Sequence, residues 1–261
     1  MKKYFERTNN LMDLYDQIFR RKSFHKFTNT IPFNKNDFDI INNTINNLIP
    51  LDSSIKIKIN LVKENETSCN LGAEYCLLFY SEKKDFYLEN IGYIGEQIDL
   101  YLTANNIGTL WCGLGKTKTS SLDGLDYVIM MCIAKVPDSS FRTNVKSFKR
   151  KNITETWEGD LLPFSNIVAL APSAVNSQPW YTVSKKNELL VYRNNKAAKF
   201  GFIPLKIMKY YNQIDMGIYL YFLEICLKQD NYSFIKILIK DYTKTNTHKQ
   251  ITAKYSLNKN L

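Results

Sequence analysis

Residues 171–180 read Ala-Pro-Ser-Ala-Val-Asn-Ser-Gln-Pro-Trp, the most distinctive stretch of the chain. Its two prolines fix the backbone of a turn, and its small residues leave space beside the main chain. Asn176 and Gln178 offer paired donors and acceptors that can read a flat heterocycle. A rigid turn between a helix and a strand would explain the same residues, so both interpretations stand for this segment taken alone.

The residues around this turn predict one half of the protein. A short helix ends at Pro172, and a pair of strands follows at 181–183 and 189–192. A long apolar helix over 207–227 and a strand over 233–239 come after them. The last 20 residues are polar, and we expect them to wrap the surface or to fray.

The residues before the turn predict a comparable order of elements. Apolar spacing indicates two helices, two strands, a third helix and a further strand over residues 1–19, 38–49, 55–62, 75–80, 86–106 and 126–134. Gly92 and Gly95 lie inside the third helix, where each costs about 1 kcal/mol relative to alanine, so we expect close packing there. Together the two orders predict an α+β fold of two pseudo-repeats, divided into residues 1–151 and 152–261.

Two more segments carry groups suited to an anionic ligand. Residues 20–27 read Arg-Arg-Lys-Ser-Phe-His-Lys-Phe, with four cations and no acid. Guanidinium and ammonium donors beside a hydroxyl suit a phosphate or a polyhydroxy chain, and a solvated basic turn is the plain alternative. Residues 106–117 hold three glycines, which allow peptide N–H groups to approach a ligand. A helix C-cap followed by a flexible loop would explain that segment equally well.

The composition excludes several classes of protein. The chain has 261 residues, 44% hydrophobic, and a formal charge of +10, so it is globular and basic. Background codon usage explains this excess of lysine as well as a binding surface does. Such a charge suits nucleic acid, an anionic membrane or a phosphorylated small molecule, but no nucleic-acid-binding motif is present. Neither a G-x-S-x-G elbow nor a G-x-G-x-x-G turn after a strand occurs. Five cysteines without a C-x-x-C pair and two isolated histidines predict neither a metal site nor a disulfide framework.

The sequence also favours a cytoplasmic location. No apolar stretch follows the basic residues at the start of the chain, so no secretory signal is visible. The longest apolar run, residues 127–134, is far shorter than the roughly 20 residues that span a bilayer. We therefore expect neither a membrane nor a nucleic acid as a partner.

Taken in order, the polar segments resemble one family, the FMN-dependent nitroreductases. Residues 21–27 are similar to the family's R-R-S-x-R-x-F opening, and residues 171–180 match its A-P-S-x-x-N-x-Q-P-W turn. Residues 106–115 resemble the G-L-G-x-x-W-x-G segment, and residues 148–154 the basic stretch that closes the core. Each motif occurs once in this chain, as in the single-chain subgroup called putative TM nitroreductases. The resemblance implies a nitroreductase-like fold whose two halves mimic the family homodimer, with one composite FMN site. A monomer would suffice for such a fused chain, and its oligomeric state stays open.

The resemblance also implies which residues would bind the cofactor. From the first half, the phosphate and ribityl groups would be held by Arg21, Lys22, Ser23 and His25. Backbone amides of Gly113, Leu114 and Gly115 would face the flavin N5 edge. Lys149 and Arg150, with Lys151 beside them, would complete the phosphate pocket, and which of the three points inward stays open. From the second half, the isoalloxazine would be contacted by Pro172, Ser173, Ala174 and Asn176.

The implied activity is that of an NAD(P)H oxidoreductase. Hydride would pass through flavin N5 in a ping-pong cycle to a nitroaromatic, a quinone or a free flavin, and no catalytic side chain is identified because the flavin carries the chemistry. Lys22 and His25 stand where the family usually has arginine, so a flavin-binding member without turnover is the alternative. The physiological acceptor and the choice between NADH and NADPH stay open.

Overall fold

The computed structural model describes residues 14–194, 204–240 and 248–260. The chain forms two compact units, the first of residues 19–147 and the second of residue 148 onward together with residues 14–18. Of the predicted opening helix over 1–19, residues 1–13 lie outside the described residues, residues 14–16 form a turn, and the short helix α1 (Gln17–Arg20) follows. The functional division into residues 1–151 and 152–261 and the repeat relationship between the halves stay predictions.

The first unit is built on an antiparallel sheet. Its strands are β1 (Ile57–Lys63), β2 (Tyr75–Ser81), β3 (Ile107–Cys112), β4 (Ser121–Leu122) and β5 (Leu125–Lys135). They are ordered β1-β2-β5-β3, and β4 pairs with β5. Two helices, α2 (Lys35–Asn46) and α3 (Tyr87–Ala104), belong to the same unit. The strands and helices predicted between residues 38 and 134 are therefore confirmed.

Gly95 inside α3 allows close packing, as the sequence predicted. A Cβ atom added at Gly95 would lie 2.2 Å from Cη2 of the Trp111 ring on β3. Because real Cβ atoms do not approach a ring carbon so closely, only glycine lets α3 pack this near to the strand. Almost every position of α3 from Leu88 to Thr103 is buried, so the close contact lies in the core of the unit.

The second unit contains a mixed sheet. Its strands are β6 (Trp157–Gly159), β7 (Trp180–Lys185), β8 (Glu188–Asn194), β9 (Tyr232–Leu238) and β10 (Lys249–Lys259). They are ordered β6-β7-β8-β10-β9, with β6 parallel to β7 and all other pairs antiparallel. The helices are α4 (Ile153–Thr156), α5 (Ser165–Val168) and α6 (Leu205–Gln229), and α6 packs against β8 and β9.

The expectation for the end of the chain is wrong. Residues 249–259 form β10, which lies between β8 and β9 and pairs with both. Ala253, Tyr255 and Leu257 are buried and alternate with polar residues, the period of two that a half-buried strand requires. The abundance of lysine and asparagine concealed this alternation in the sequence.

The interpretation of residues 106–117 as a ligand-binding loop is also wrong for half of the segment. Residues 107–112 form β3, which pairs with β5 from Ile107 opposite Lys135 to Cys112 opposite Met130. The glycine at 108 is part of this strand, where an added Cβ would meet the Phe24 ring at 2.9 Å. Close packing, rather than a free loop, therefore explains that glycine.

Candidate functional site

The turn at residues 171–178 has an unusual backbone. Val175, Asn176 and Gln178 all have positive φ angles, of 47°, 55° and 47°. A β-branched residue such as Val175 is a rare occupant of this left-handed region, because its side chain crowds the main chain there. Strained backbone of this kind costs about 1–3 kcal/mol per residue and concentrates at functional sites. We refer to residues 171–178 as the strained turn.

The basic segment 149–151 holds the strained turn within the second unit. The Arg150 guanidinium donates to Asn176 Oδ1 at 3.1 Å and to the Leu170 carbonyl at 2.8 Å. Lys151 Nζ donates to the carbonyls of Ser177 and Gln178, at 2.7 and 3.1 Å. These bonds bring two of the predicted binding segments together.

Lys149 differs from its two basic neighbours. Its carbonyl accepts from Asn176 Nδ2 at 2.9 Å and from the Arg150 guanidinium at 3.0 Å. Its side chain is exposed, whereas Arg150 and Lys151 are half-buried against the turn. Burial lowers the pKa of the Lys151 ammonium from its ordinary value. Of the three basic residues, Lys149 therefore has the side chain that an external anion can reach most directly.

A buried carboxyl that sequence reasoning missed also holds the strained turn. Asp215 lies on α6, and its Oδ1 accepts from the Ala174 N–H at 2.9 Å. The Ser177 hydroxyl lies 3.4 Å from Asp215 Oδ2 and 3.2 Å from Asn212 Oδ1. Burial raises the pKa of Asp215 to about 8, although both hydrogen bonds oppose the shift. The available signal was an acidic residue inside the apolar stretch of residues 214–223.

The predicted residues of the strained turn differ in how far solvent reaches them. Pro172 is buried, Ser173 and Ala174 are half-buried, and Asn176 is exposed. The Ser173 hydroxyl accepts from the Gln178 N–H at 2.9 Å. The crest formed by residues 173–176 is therefore open to a ligand, while Pro172 sets the path of the chain below it.

Arg21 has surroundings unlike those of a phosphate-binding side chain. It is 1% exposed, and its Nε donates to Asp99 Oδ2 at 3.0 Å, with Glu96 Oε1 3.8 Å away. Asp99 also accepts from the Thr109 hydroxyl at 2.5 Å. Two carboxylates of α3 thus lie beside the guanidinium, and the role expected for Arg21 at the cofactor phosphate stays a prediction. Its NH2 group lies 3.3 Å from Ser23 Oγ, so it positions that hydroxyl.

The other predicted residues of the opening segment are more accessible. Lys22 and Ser23 are half-buried and His25 is exposed. Lys22 Nζ donates to the Ser140 carbonyl at 3.0 Å. Nearby, the Arg142 guanidinium donates to the Arg21 carbonyl, and burial together with the Arg21 charge lowers the pKa of Arg142 to about 10. Lys22 and Arg142 therefore add two cations to this corner of the first unit, beside an Arg21 whose charge is balanced by Asp99 and Glu96.

The glycine turn after β3 is partly engaged. The Gly115 N–H donates to the Cys112 carbonyl at 3.1 Å, and the Gly115 carbonyl accepts from the Tyr127 hydroxyl at 3.0 Å. Leu114 is 73% exposed. The role expected for the Gly115 amide at a flavin therefore requires the bond to Cys112 to open, and the roles of Gly113 and Leu114 stay predictions.

Four cysteines of the first unit converge, contrary to the expectation of no metal-binding constellation. The Cys69 and Cys112 Sγ atoms are 3.2 Å apart, and those of Cys76 and Cys132 are 3.6 Å apart. The Sγ atoms of Cys69, Cys76 and Cys132 all lie within 4.8 Å of one another. Because these residues come from different strands and a loop, their spacing along the chain gave no sign of the cluster.

No helix within the described residues is long and apolar enough to cross a membrane. Among curated protein sequences, none is significantly similar to this chain.

Solved structures include several similar chains. A putative nitroreductase from Thermotoga maritima is 23% identical, aligns over 94% of this chain and 92% of its own, and has a TM-score of 0.56. A nitroreductase family protein from Clostridium novyi NT is 17% identical over 49% of this chain and 88% of its own, with a TM-score of 0.38. The first of these confirms the predicted α+β nitroreductase-like fold.

The sequence itself matches a family over most of its length. The sequence profile of the family described as "Putative TM nitroreductase" aligns with residues 13–226, which include all of the predicted cofactor-binding residues, those of the strained turn among them. This chain therefore belongs to the putative TM nitroreductase family.

Proposed function

We propose that this chain is an FMN-dependent NAD(P)H oxidoreductase. The observation that carries the proposal is membership of the putative TM nitroreductase family across residues 13–226, which supports an oxidoreductase role. When bound, FMN would supply reversible hydride acceptance, so that a reduced nicotinamide and an electron acceptor can use one site in turn. The acceptor class that we propose is a nitroaromatic, a quinone or a free flavin.

The strained turn is the feature of the structure that fits a flavin. Its crest is open to solvent, yet the backbone beneath is fixed by Arg150, Lys151 and Asp215. Preorganised polar groups of this kind lose little conformational entropy when they bind a ligand. Three left-handed residues would be costly to maintain if the turn served only to join α5 to β7. We therefore assign ring contact to Ser173, Ala174 and Asn176; the Asn176 side chain is exposed even though its amide also bonds Arg150 and the Lys149 carbonyl.

The contacts of the basic residues divide them between binding and positioning. In the second unit, Lys149 is the candidate for the cofactor phosphate, because Arg150 and Lys151 already bond the turn. In the first unit, Lys22, Ser23 and His25 are the candidates. Arg21 and Pro172 are assigned positioning roles, since both side chains are buried.

Titration of the purified chain with FMN tests the proposal. We expect quenching of flavin fluorescence to saturate, and Asn176→Ala to weaken binding about tenfold, which corresponds to about 1.4 kcal/mol. Asn187→Ala is the matched control, because Asn187 is an exposed amide of the same unit in the turn between β7 and β8. An unchanged flavin spectrum at saturating FMN would contradict the proposal.

A turnover assay distinguishes an oxidoreductase from a flavin-binding protein without turnover, the two functions that the sequence left open. Anaerobic NADPH or NADH should bleach the visible absorbance of the bound flavin, and a quinone or nitroaromatic should restore it. Full occupancy by FMN without bleaching would instead support a flavin-binding protein that does not turn over.

A further inference from the structure

The cysteine cluster joins four segments of the first unit. Cys76 on β2 and Cys132 on β5 lie directly opposite each other in the strand register. Cys112 is the last residue of β3, and Cys69 belongs to the loop that leads into β2. The Met130 thioether lies 3.5 Å from Cys69 Sγ. Five sulfur atoms are thus gathered at one end of the sheet.

The separations between the thiols suit a tetrahedral metal centre. With Zn–S bonds of about 2.3 Å, the sulfur atoms of a tetrahedral four-thiolate site lie about 3.8 Å apart. The measured separations of 3.2 Å and 3.6 Å are slightly shorter, and the three-cysteine group fits within 4.8 Å. Cys112 stands outside this three-cysteine group and joins it through Cys69, so its thiol has to rotate inward to complete a tetrahedron around an ion held by the other three.

The surroundings allow an ion to enter and then keep it from water. Cys69 and Cys112 are half-buried, whereas Cys76 and Cys132 are fully buried. The Thr67 hydroxyl accepts from the Cys69 N–H at 3.1 Å and lies 3.9 Å from Cys76 Sγ. Such outer contacts orient metal ligands in known sites.

We propose that Cys69, Cys76, Cys112 and Cys132 bind one thiophilic divalent cation of the Zn²⁺ class. Thiolate ligands select such ions over Mg²⁺ and Ca²⁺, which prefer oxygen. Each thiol that coordinates releases its proton to solvent as the metal–sulfur bond forms. The bound ion would cross-link the loop at Cys69 to three strands. This metal site does not depend on the flavin chemistry proposed above.

Titration of the reduced, chelator-treated full chain with Co²⁺ tests this site. We expect one Co²⁺ per chain, thiolate-to-metal charge-transfer bands, the ligand-field bands of tetrahedral cobalt, and displacement of Co²⁺ by one equivalent of Zn²⁺. Cys112→Ser and Cys69→Ser should each weaken binding at least tenfold. Both positions are half-buried, so these variants are expected to keep the native circular dichroism spectrum.

Cys226→Ser is the matched control, because Cys226 is the fifth cysteine and lies in the second unit. It should bind Co²⁺ as the unaltered chain does. The proposal is overturned if the fully reduced chain shows no charge-transfer bands. It is also overturned if Cys226→Ser weakens binding as much as Cys112→Ser does, or if thiol counting finds a stable Cys69–Cys112 disulfide in the purified protein.

Discussion

Replacing Asp215 by asparagine should make the stability of the protein less dependent on pH. The carboxyl is buried beneath the strained turn and accepts from the Ala174 N–H at 2.9 Å. Burial raises its pKa from 3.8 to about 8 in the folded chain. Asparagine keeps the Oδ1 acceptor, is nearly the same size and cannot ionise, so the substitution removes the buried charge with little change in packing.

The sign follows from proton binding. Between pH 4 and pH 8 the folded chain holds a proton on Asp215 that the unfolded chain has lost, so raising the pH favours the unfolded state. Over this range each rise of one pH unit lowers the unfolding free energy of the unaltered chain by about 1.4 kcal/mol, so three units lower it by about 4 kcal/mol. The unfolding free energy of Asp215→Asn should therefore gain about 4 kcal/mol on that of the unaltered chain between pH 5 and pH 8, then level off.

Urea denaturation at pH 5, 6, 7, 8 and 9, followed by tryptophan fluorescence, measures this difference. Asp160→Asn is the matched control, because Asp160 is an exposed carboxylate of the same unit and should leave the pH dependence unchanged. A difference in unfolding free energy between Asp215→Asn and the unaltered chain that stays constant from pH 5 to pH 8 would contradict the raised pKa of Asp215. So would lower stability of the variant at pH 9.

Three further variants test the packing inside each of the two units. Gly95→Ala should lower the unfolding free energy by about 1–2 kcal/mol in urea titrations, because the steric cost of placing a Cβ against the Trp111 ring exceeds the gain in helix propensity. Equal or higher stability of the variant would contradict this. Asp99→Asn should cost about 3 kcal/mol in the same assay, because it leaves the buried Arg21 guanidinium without its main partner, and a loss below about 1 kcal/mol would show that the pair is dispensable. Removing residues 248–261 deletes a central strand, so limited proteolysis should digest the second unit rapidly, and native-like resistance would contradict the position of β10.

Much of the architecture could be predicted because apolar periodicity reports burial directly. The helix Tyr87–Ala104 has apolar residues at helical spacing, and the strand Leu125–Lys135 is a nearly continuous apolar segment. Both lie close to their predicted positions. The strand Lys249–Lys259 was missed because lysine, serine and asparagine make the segment polar on average, which hid the alternation of its few apolar residues. The strand Ile107–Cys112 was missed because its glycine was attributed to a ligand rather than to the ring of Phe24.

The candidate site was predictable only in part, because sequence motifs name residues without giving their partners. The motif around residues 171–180 located the strained turn, but nothing in it indicated that Asp215 holds the Ala174 amide from a distant helix. Likewise, the basic opening segment gave no sign that Asp99 and Glu96 neutralise Arg21. Long-range pairing of this kind depends on tertiary packing, which the local spacing of residues does not encode.

Anaerobic addition of NADPH to the FMN-loaded chain separates an oxidoreductase from a protein that only binds flavin. We expect the visible absorbance of the bound flavin to bleach with one equivalent of NADPH or NADH per flavin and to return when a quinone is added. A chain that binds FMN but keeps its oxidised spectrum with excess of both nucleotides would contradict the proposed oxidoreductase function.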